Sequence, residues 1–256
     1  MKEYRNDSLS WLEFDIFQPY RTFIRHGCFT RQGGVSHGPY DSLNVGTNVG
    51  DIPTHVVQNR SLITKSLGIP AHLLFDVEQV HKTNHVLVNI KPTSHIQADI
   101  LLTDKPNYAL MIKHADCQAA LLYDPEHHVC AAVHAGWRGL VQKAYTKALL
   151  EMKKLWNTNP QCVLVGISPS LGLCHSEFLS WKEDFPPELW PFQRGENKMD
   201  LLAIAQQELL QAGILAEHLE IAHICTYDTP ERFFSYRREK MTGRTATCIK
   251  LLPQLS

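Results

Sequence analysis

The chain lacks several features that would assign it to a class at once. Its 256 residues contain no hydrophobic run approaching the roughly 20 residues that span a bilayer, and residues 1–7 are too polar for a secretory signal. The chain has no excess of positive or negative charge, with 25 Lys+Arg against 26 Asp+Glu. No net field therefore favours nucleic acid or an anionic membrane. We expect a cytoplasmic protein without such partners, and a monomer.

The chain also lacks interdomain linkers, low-complexity tracts and internal repeats. Because 44% of its residues are hydrophobic, it can bury one large core. We expect a single catalytic domain over residues 1–256.

Hydrophobic periodicity predicts a small set of helices and a larger set of strands. The predicted helices cover residues 54–67, 140–155 and 200–213. Thr54 is the expected N-cap of the first helix, Gly68 its end, and Asp200 the start of the third. The predicted strands cover residues 85–90, 98–102, 108–113, 119–123, 129–134, 162–167, 219–224 and 246–251. Several strands follow one another without a helix, which indicates an α/β fold with a mixed sheet flanked by helices.

Cysteine is scattered and odd in number, with seven residues and no CxxC pair, so a disulfide framework is not indicated. Cys117 differs from the others because polar residues flank it. The polar break at 124–128 predicts a β-hairpin between the strands at 119–123 and 129–134. Such a hairpin places Cys117 beside His134.

A neighbouring thiol and imidazole form either a nucleophilic pair or part of a zinc site. His81, next to a predicted strand, supplies a third donor, and we propose His81, Cys117 and His134 as catalytic metal ligands around Zn²⁺. Copper fits less well, because multicopper centres use repeated His-x-His pairs and the chain has none.

Two alternatives remain open at this stage. Cys117 and His134 could form a metal-free cysteine hydrolase or amidase, with Asp116 or Asn44 orienting the imidazole. A structural zinc would instead need a fourth ligand, for which His114 and His85 are the candidates.

Two further segments indicate anion binding. Residues 30–46 form a Gly-rich stretch without the P-loop or GxGxxG order, and residues 233–238 with 242–244 gather three arginines beside aromatic rings. Backbone N–H groups and guanidinium forks both suit phosphate or carboxylate.

Ordered motifs along nearly the whole chain resemble the YfiH family, also called the laccase-domain or polyphenol oxidase family. They are Thr-Arg-x-Gly-Gly-Val-Ser (30–36), Ser-Leu-Asn (42–44), Asn-Arg (59–60), Gln-Val-His (79–81), Ala-Asp (98–99), Ala-Asp-Cys (115–117), His-Ala-Gly-Trp-Arg-Gly (134–139), Cys-Thr (225–226), Phe-Ser-Tyr-Arg-Arg (234–238) and Thr-Gly-Arg (242–244).

The resemblance implies a fold similar to the catalytic domain of cytotoxic necrotizing factor, with zinc on His81, Cys117 and His134. It also implies phosphorolysis of adenosine, inosine and methylthioadenosine, with deamination of adenosine, so a purine nucleoside and phosphate are the expected partners. Some bacterial relatives are linked to editing of cell-wall precursors, on which a Cys-nucleophile hydrolase would act. Asn44, Arg60 and Arg244 are the expected substrate or phosphate contacts.

The chain departs from the family pattern at three places. His114 and Ala119 replace the threonine and proline of Thr-Ala-Asp-Cys-x-Pro, and Ser168 replaces the first glycine of Gly-Pro-x-Ile-Gly. The usual Cys-Tyr-Glu-Val becomes residues 174–178, with His175 in place of tyrosine. We expect the changes at His114 and Ser168 to affect substrate preference rather than the fold. The His-x-Glu and Pro-Cys-x-x-Cys pattern of zinc deaminases is absent, so deamination would need another proton shuttle.

Overall fold

The computed structural model describes residues 1–6, 9–89, 96–106 and 108–254. Within these ranges the strands are β1 (Lys2–Arg5), β2 (Ser10–Glu13), β3 (Ile24–Phe29), β4 (Leu74–Phe75), β5 (His85–Leu87), β6 (Ile100–Thr103), β7 (Ala109–His114), β8 (Gln118–Asp124), β9 (Val129–Ala135), β10 (Leu164–Ile167), β11 (Gln193–Arg194), β12 (Lys198–Met199), β13 (Leu219–Ile221) and β14 (Thr245–Leu251). The α-helices are α1 (Pro53–Leu67), α2 (Trp137–Val141), α3 (Ala144–Trp156), α4 (Trp181–Asp184), α5 (Leu201–Gln211) and α6 (Tyr236–Glu239).

Two six-stranded mixed sheets form the centre of the molecule. The first has the order β1-β2-β3-β14-β7-β4, and the second has the order β13-β10-β8-β9-β6-β5. Each is mainly antiparallel, with parallel pairs at β4/β7, β5/β6 and β10/β13. The predicted α/β class with mixed strands and flanking helices is confirmed, although the strands divide between two sheets rather than one.

Alternation along the central strands explains the layers. On β8, Leu121 and Tyr123 pack into a core shared with the first sheet, whereas Ala120 and Leu122 pack toward α3 and α5. The outer face of the first sheet packs against α1 through residues such as Ile63 and Met111. Successive strand residues point to opposite faces, so both faces of a central strand must be apolar. The order of layers is therefore helix, sheet, sheet, helix.

Helix predictions were right in position and partly wrong in detail. The segment expected as one helix over 140–155 is divided into α2 and α3, because Lys143 adopts a left-handed conformation with φ 58°. Thr54 is not the N-cap of α1, which begins at Pro53 after Ile52 with no side-chain cap. Gly68 ends α1 at φ 65°, as expected of a residue without Cβ. The Asp200 carboxylate accepts from the N–H of Ala203 and caps α5, as predicted.

The eight predicted strands are all present, with shifted ends. Cys162 belongs to a 3-10 helix before β10, and β13 ends at Ile221 rather than at residue 224. Ile90, the predicted end of β5, lies outside the described residues. Among the residues described, no helix is long and apolar enough to cross a membrane. The single domain over 1–256 stays a prediction.

Candidate metal centre and its cavity

The β8/β9 hairpin brings Cys117 and His134 together, as the sequence predicts. Ala119 pairs with His134 across the hairpin, and Gln118 pairs with Ala135, so Cys117 lies at the start of one strand and His134 near the end of the other. The Asp124 carboxylate closes the turn by accepting from the N–H groups of Glu126 and His127. Local turn chemistry therefore sets the register that makes the two side chains neighbours.

His81 reaches the pair from a loop that Asp99 anchors. The carboxylate of Asp99 accepts from the backbone N–H groups of Val80, His81 and Lys82 at 3.2, 3.0 and 2.8 Å. His81 itself has φ 58°, a left-handed conformation that a non-glycine residue keeps only when its surroundings hold it. A buried carboxylate thus fixes a strained backbone in the place where its imidazole meets Cys117.

The same carboxylate orients His134. Its Oδ1 lies 2.8 Å from His134 Nδ1, and a carboxylate only accepts, so Nδ1 carries the proton. Nε2 of His134 is the ring nitrogen left to bind a metal. The alternative that Asp116 or Asn44 orients this imidazole is wrong, since Asp116 binds Thr226 and Arg237, and Asn44 binds Gly46 and Arg244.

The donors surround a space that suits one metal ion. Ligand atoms of His81, Cys117 and His134 all lie within 4.8 Å of one another. A Cβ on Gly136 would lie 2.9 Å from Cys117 Sγ and 3.2 Å from His81 Nδ1, so only glycine leaves these donors room to converge. Two imidazoles and one thiolate are the donor types that zinc prefers.

Charge at the centre already favours a thiolate. Burial raises the pKa of Cys117, but the charge of His134 and hydrogen bonds with His134 and His81 outweigh it, and the net effect lowers that pKa. Burial lowers the pKa of His134, and the reverse attractions, from Cys117 and Asp99, raise it overall. Hydrogen bonds from His134 and the loop N–H groups keep the pKa of Asp99 low despite its burial.

The fourth-ligand candidates for a closed, structural site lie elsewhere. His114 is buried, its Nε2 lies 2.8 Å from Thr247 Oγ1, and burial lowers its pKa to about 3. His85 Nε2 lies 3.4 Å from Glu151 Oε2. Among the described residues, the donor group around Cys117 includes neither of them. The centre as built has three protein donors.

A cavity of about 690 Å³ opens onto the centre. The three donors form part of its lining, together with cationic and aromatic side chains. The cations are Lys113, Arg138, Arg237, Lys240 and Arg244, and the aromatic residues are Trp137, Phe178 and Tyr236. A volume of this size is typical of small-molecule sites.

The three predicted substrate contacts occupy different positions. Arg244 lines the cavity, where Nη1 donates to the carbonyls of Thr242 and Gly243 at 2.9 Å. Within the described chain no hydrogen bond is formed by its Nε or Nη2. Asn44 is fully buried, and its amide oxygen accepts from the N–H of Arg244 at 2.8 Å.

Arg60 does not line the cavity and instead binds the backbone next to the lining residues. Its guanidinium donates twice to the carbonyl of Val45, at 3.0 and 2.8 Å, and pairs with Asp76 at 3.0 Å. The Gly-rich stretch also contributes little to the lining, which takes in residues only from Gly46 onward. Gly34 is needed for packing instead, since a Cβ there would lie 2.2 Å from the carbonyl oxygen of Ser42.

Sequence reasoning missed several residues at the site. Asp99 appeared only as part of the Ala-Asp motif, and its double role could not be seen without the loop at 80–82 beside it. Trp137 and Arg138 lie three and four residues after the predicted ligand His134, which was an available signal. Asp116 has φ 87° and accepts from Thr226 Oγ1 at 2.7 Å and from the N–H of Arg237, so it ties the start of α6 to the residue before Cys117.

The substitution at Ser168 has a local explanation. Its buried hydroxyl oxygen accepts from the N–H of Ala119 at 3.0 Å, and the hydroxyl donates to the carbonyl of Pro169 at 3.1 Å. Ala119 is the residue that stands where the family has proline, and its N–H is therefore available for this bond. The hydroxyl of Ser168 therefore accepts from the N–H that alanine, unlike proline, has at position 119 of β8.

Comparison with known proteins agrees with this architecture. Residues 25–252 match the family described as "Multi-copper polyphenol oxidoreductase laccase". A protein of Bacteroides thetaiotaomicron named "Purine nucleoside phosphorylase" is 34% identical over 84% of this chain and 86% of its own length. The Escherichia coli protein named "Purine nucleoside phosphorylase YfiH" is 33% identical over 87% of this chain and 92% of its own.

Solved structures show the same fold. YlmD from Geobacillus stearothermophilus superposes with a TM-score of 0.88 at 26% identity, covering 98% of both chains. YfiH from Bacillus licheniformis gives 0.84 at 26% identity, covering 96% of this chain and 97% of its own. The chain therefore belongs to the laccase-domain family that includes the YfiH proteins.

Proposed function

We propose that this protein is a zinc-dependent purine nucleoside phosphorylase that cleaves adenosine, inosine and methylthioadenosine with phosphate and also deaminates adenosine. The observation that carries the proposal is a His/Cys/His donor set in a cavity that also has cationic and aromatic walls. The printed names of the relatives from Bacteroides thetaiotaomicron and Escherichia coli support the reaction class.

His81, Cys117 and His134 would hold the zinc ion, with Asp99 fixing two of them. Bound zinc supplies positive charge and Lewis acidity in the cavity. The thiolate of Cys117 is the form that a metal binds, and the ion would displace the proton from Nε2 of His134, because Nδ1 is held by Asp99. No fourth donor from the described residues closes the set, so one coordination position is left for chemistry.

Phosphate would bind to the cationic wall. Arg244 has Nε and Nη2 available, and Arg237 donates from Nη1 to the carbonyl of Glu177 at 2.8 Å, which fixes its guanidinium. A planar guanidinium grips phosphate through two parallel hydrogen bonds. These residues would hold the phosphate and neutralise its charge while its oxygen attacks the anomeric carbon of the nucleoside.

The aromatic wall suits a purine. Trp137 packs at 5.9 Å from Phe178, and the guanidinium of Arg138 stacks on Trp137 at 4.2 Å. A purine ring can stack on such surfaces and exclude water from the bond that breaks. We assign Asn44 and Arg60 to positioning: Asn44 holds the backbone of Arg244, and Arg60 holds the backbone of Val45 beside Gly46.

A phosphate-dependent assay of base release, combined with metal analysis, tests the proposal. The wild-type protein should contain zinc and release adenine and hypoxanthine only when phosphate is present, whereas Cys117→Ala should lose both properties. Cys162→Ala is the matched control, because this thiol lies outside the cavity. Equal base release by Cys117→Ala and wild type would refute the mechanism. Ammonia release from adenosine tests the deaminase activity separately.

One observation favours a second function. Cys117, His134 and Asp99 form a thiolate, imidazole and carboxylate series that also suits a cysteine hydrolase or amidase. Dipicolinate should abolish the activity of a zinc enzyme and leave a thiol hydrolase active. A copper oxidase has weaker support, because the chain contains no His-x-His pair and the centre has two imidazoles only.

A further inference from the structure

A second group of metal-binding side chains lies between two loops outside the proposed centre. Cys174 and His175 belong to the 3-10 helix Leu173–His175, and Asp228 follows Cys225 on the segment after β13. Donor atoms of Cys174, His175 and Asp228 all lie within 4.8 Å of one another. Cys225 Sγ lies 3.4 Å from Cys174 Sγ, which makes it the candidate for a fourth donor.

We propose that Cys174, Cys225, His175 and Asp228 form a second, structural zinc site. Two sulfurs, one imidazole nitrogen and one carboxylate oxygen make a complete four-donor set of the types found around zinc. The observations concern residues that the proposed nucleoside phosphorylase mechanism does not use, so the two proposals can fail independently.

Three of the donor separations are slightly shorter than those around a tetrahedral ion. Zn–S bonds of about 2.3 Å place two sulfurs about 3.8 Å apart around a tetrahedral ion. Here the two sulfurs are 3.4 Å apart, Cys174 Sγ is 3.0 Å from Asp228 Oδ2, and His175 Nε2 is 2.7 Å from Asp228 Oδ1. Binding an ion requires only that these pairs separate by less than about 1 Å. His175 and Asp228 are 32% and 50% exposed, which permits both the movement and the entry of an ion.

Surrounding contacts orient the donors in the way that metal sites require. The N–H of Gly172 donates to Cys225 Sγ at 3.3 Å, which stabilises negative charge on that sulfur. The imidazole of His175 stacks on Tyr227 at 3.6 Å between centroids, which fixes the ring. A Cβ on Gly172 would lie 3.0 Å from the Cβ of Cys225 and 3.2 Å from Cys174 Sγ, so glycine lets the two loops approach.

Charge and protons balance on binding. Zinc adds two positive charges, and each thiol that binds it gives up its proton to solvent. Asp228 adds a third negative charge to those of the two thiolates. The ammonium of Lys198, whose Nζ lies 2.8 Å from the carbonyl oxygen of Cys174, offsets this charge.

A sequence feature of this chain adds the imidazole. Where the family pattern has tyrosine after the cysteine, this chain has His175, and the Cys-Thr motif supplies Cys225 on the facing loop. The site would join residues 172–175 to 225–228. Leu171, next to the first of these segments, lines the cavity and donates its N–H to the carbonyl of Asp116 at 2.8 Å. A bound ion would therefore brace one wall of the cavity.

The test is zinc stoichiometry after reduction, saturation with zinc chloride and removal of free metal. Wild type should retain two zinc ions per chain, Cys174→Ser and Cys117→Ala one each, and the double variant none. Cys162→Ser is the control and should retain two, because this cysteine belongs to neither group. If Cys174→Ser fails to fold, Asp228→Asn should show weaker retention of the second ion.

Cobalt provides a second measurement. Cys117→Ala loaded with Co²⁺ should still show thiolate-to-cobalt charge transfer, and Cys174→Ser/Cys117→Ala should show none. One zinc per wild-type chain that Cys117→Ala loses would overturn the second site, and so would a Cys174–Cys225 disulfide in protein isolated with zinc. One zinc retained by Cys117→Ala and lost by Cys174→Ser would support the second site and remove the first.

Discussion

The two clusters of cysteine and histidine have similar donor types but lie on different structural elements. His134 and Cys117 are held by adjacent strands of a buried hairpin, and Asp99 fixes both His134 and the loop of His81. Cys174, His175 and Asp228 stand on short loops at the surface. The central cluster opens to a large cavity, and the surface cluster has three donors with Cys225 as its proposed fourth. The comparison shows that a buried carboxylate supports two residues of the central cluster, whereas the donors of the surface cluster are held by hydrogen bonds to one another.

The strongest test of this contrast is removal of the central thiolate. Cys117→Ala should reduce phosphorolysis by at least about 10³-fold, because the metal loses one of three protein ligands. Steady-state rates with saturating inosine and phosphate measure the loss. The same change at the surface, Cys174→Ala, should alter the rate by less than about fivefold. Equal losses in both variants would remove the distinction between a catalytic and a structural cluster.

Substitution of Asp99, the carboxylate that supports the central cluster, should have the next largest effect. Asp99→Asn keeps the size of the side chain but can donate to His134 Nδ1, which disturbs the tautomer that leaves Nε2 free. We expect zinc affinity to fall by about 10–100-fold. Competition with a chromogenic chelator measures this change, and Asp104→Asn, at an exposed carboxylate, is the control. Unchanged affinity would show that Asp99 supports only the fold.

A smaller effect should follow from substitution of Arg244, a cationic residue of the cavity that belongs to neither cluster. Arg244→Ala should raise the KM for phosphate about tenfold or more, because one hydrogen bond to a charged group contributes about 1.5–3 kcal/mol. Zinc content should not change. Arg194→Ala, an exposed guanidinium outside the cavity, is the matched control. A normal KM for phosphate in Arg244→Ala would place the phosphate elsewhere.

Acid unfolding of the metal-free protein tests the fold without either cluster, through the buried imidazole of His26. His26 is buried and accepts from the N–H of Phe14 at 2.8 Å, so burial lowers its pKa to about 3. The unfolded chain binds this proton near pH 6.5 and the folded chain does not, so the free energy of unfolding decreases as pH falls from about 6.5 toward 3.

The decrease should be about 2 kcal/mol near pH 5. His26→Gln, which can still accept from Phe14, should show less of this decrease in denaturant unfolding of the metal-free protein. His72→Gln, at an exposed imidazole, should behave as wild type. A pH dependence in His26→Gln as steep as that of wild type would mean that another group controls acid unfolding.

Much of this architecture follows from local sequence. The β8/β9 hairpin was predictable because an apolar run, a polar break with Asp124, and a second apolar run each have a local physical meaning. Gly68 and Asp200 marked helix ends for the same reason. The division of 140–155 into α2 and α3 was not predictable, since Lys143 adopts a positive φ that its residue type does not signal.

The sequence by itself determined the mixed α/β class, the hairpin that joins Cys117 to His134, and the donor types available to a metal. Those features depend on periodicity and on contacts between residues close in the chain. Only the tertiary structure decided that Asp99 rather than Asp116 or Asn44 holds His134, that Asn44 and Arg60 stand behind the cavity wall, and that Cys225 meets Cys174. These contacts join residues 15 or more positions apart, and side-chain partners at such separations are set by how the sheets and loops pack.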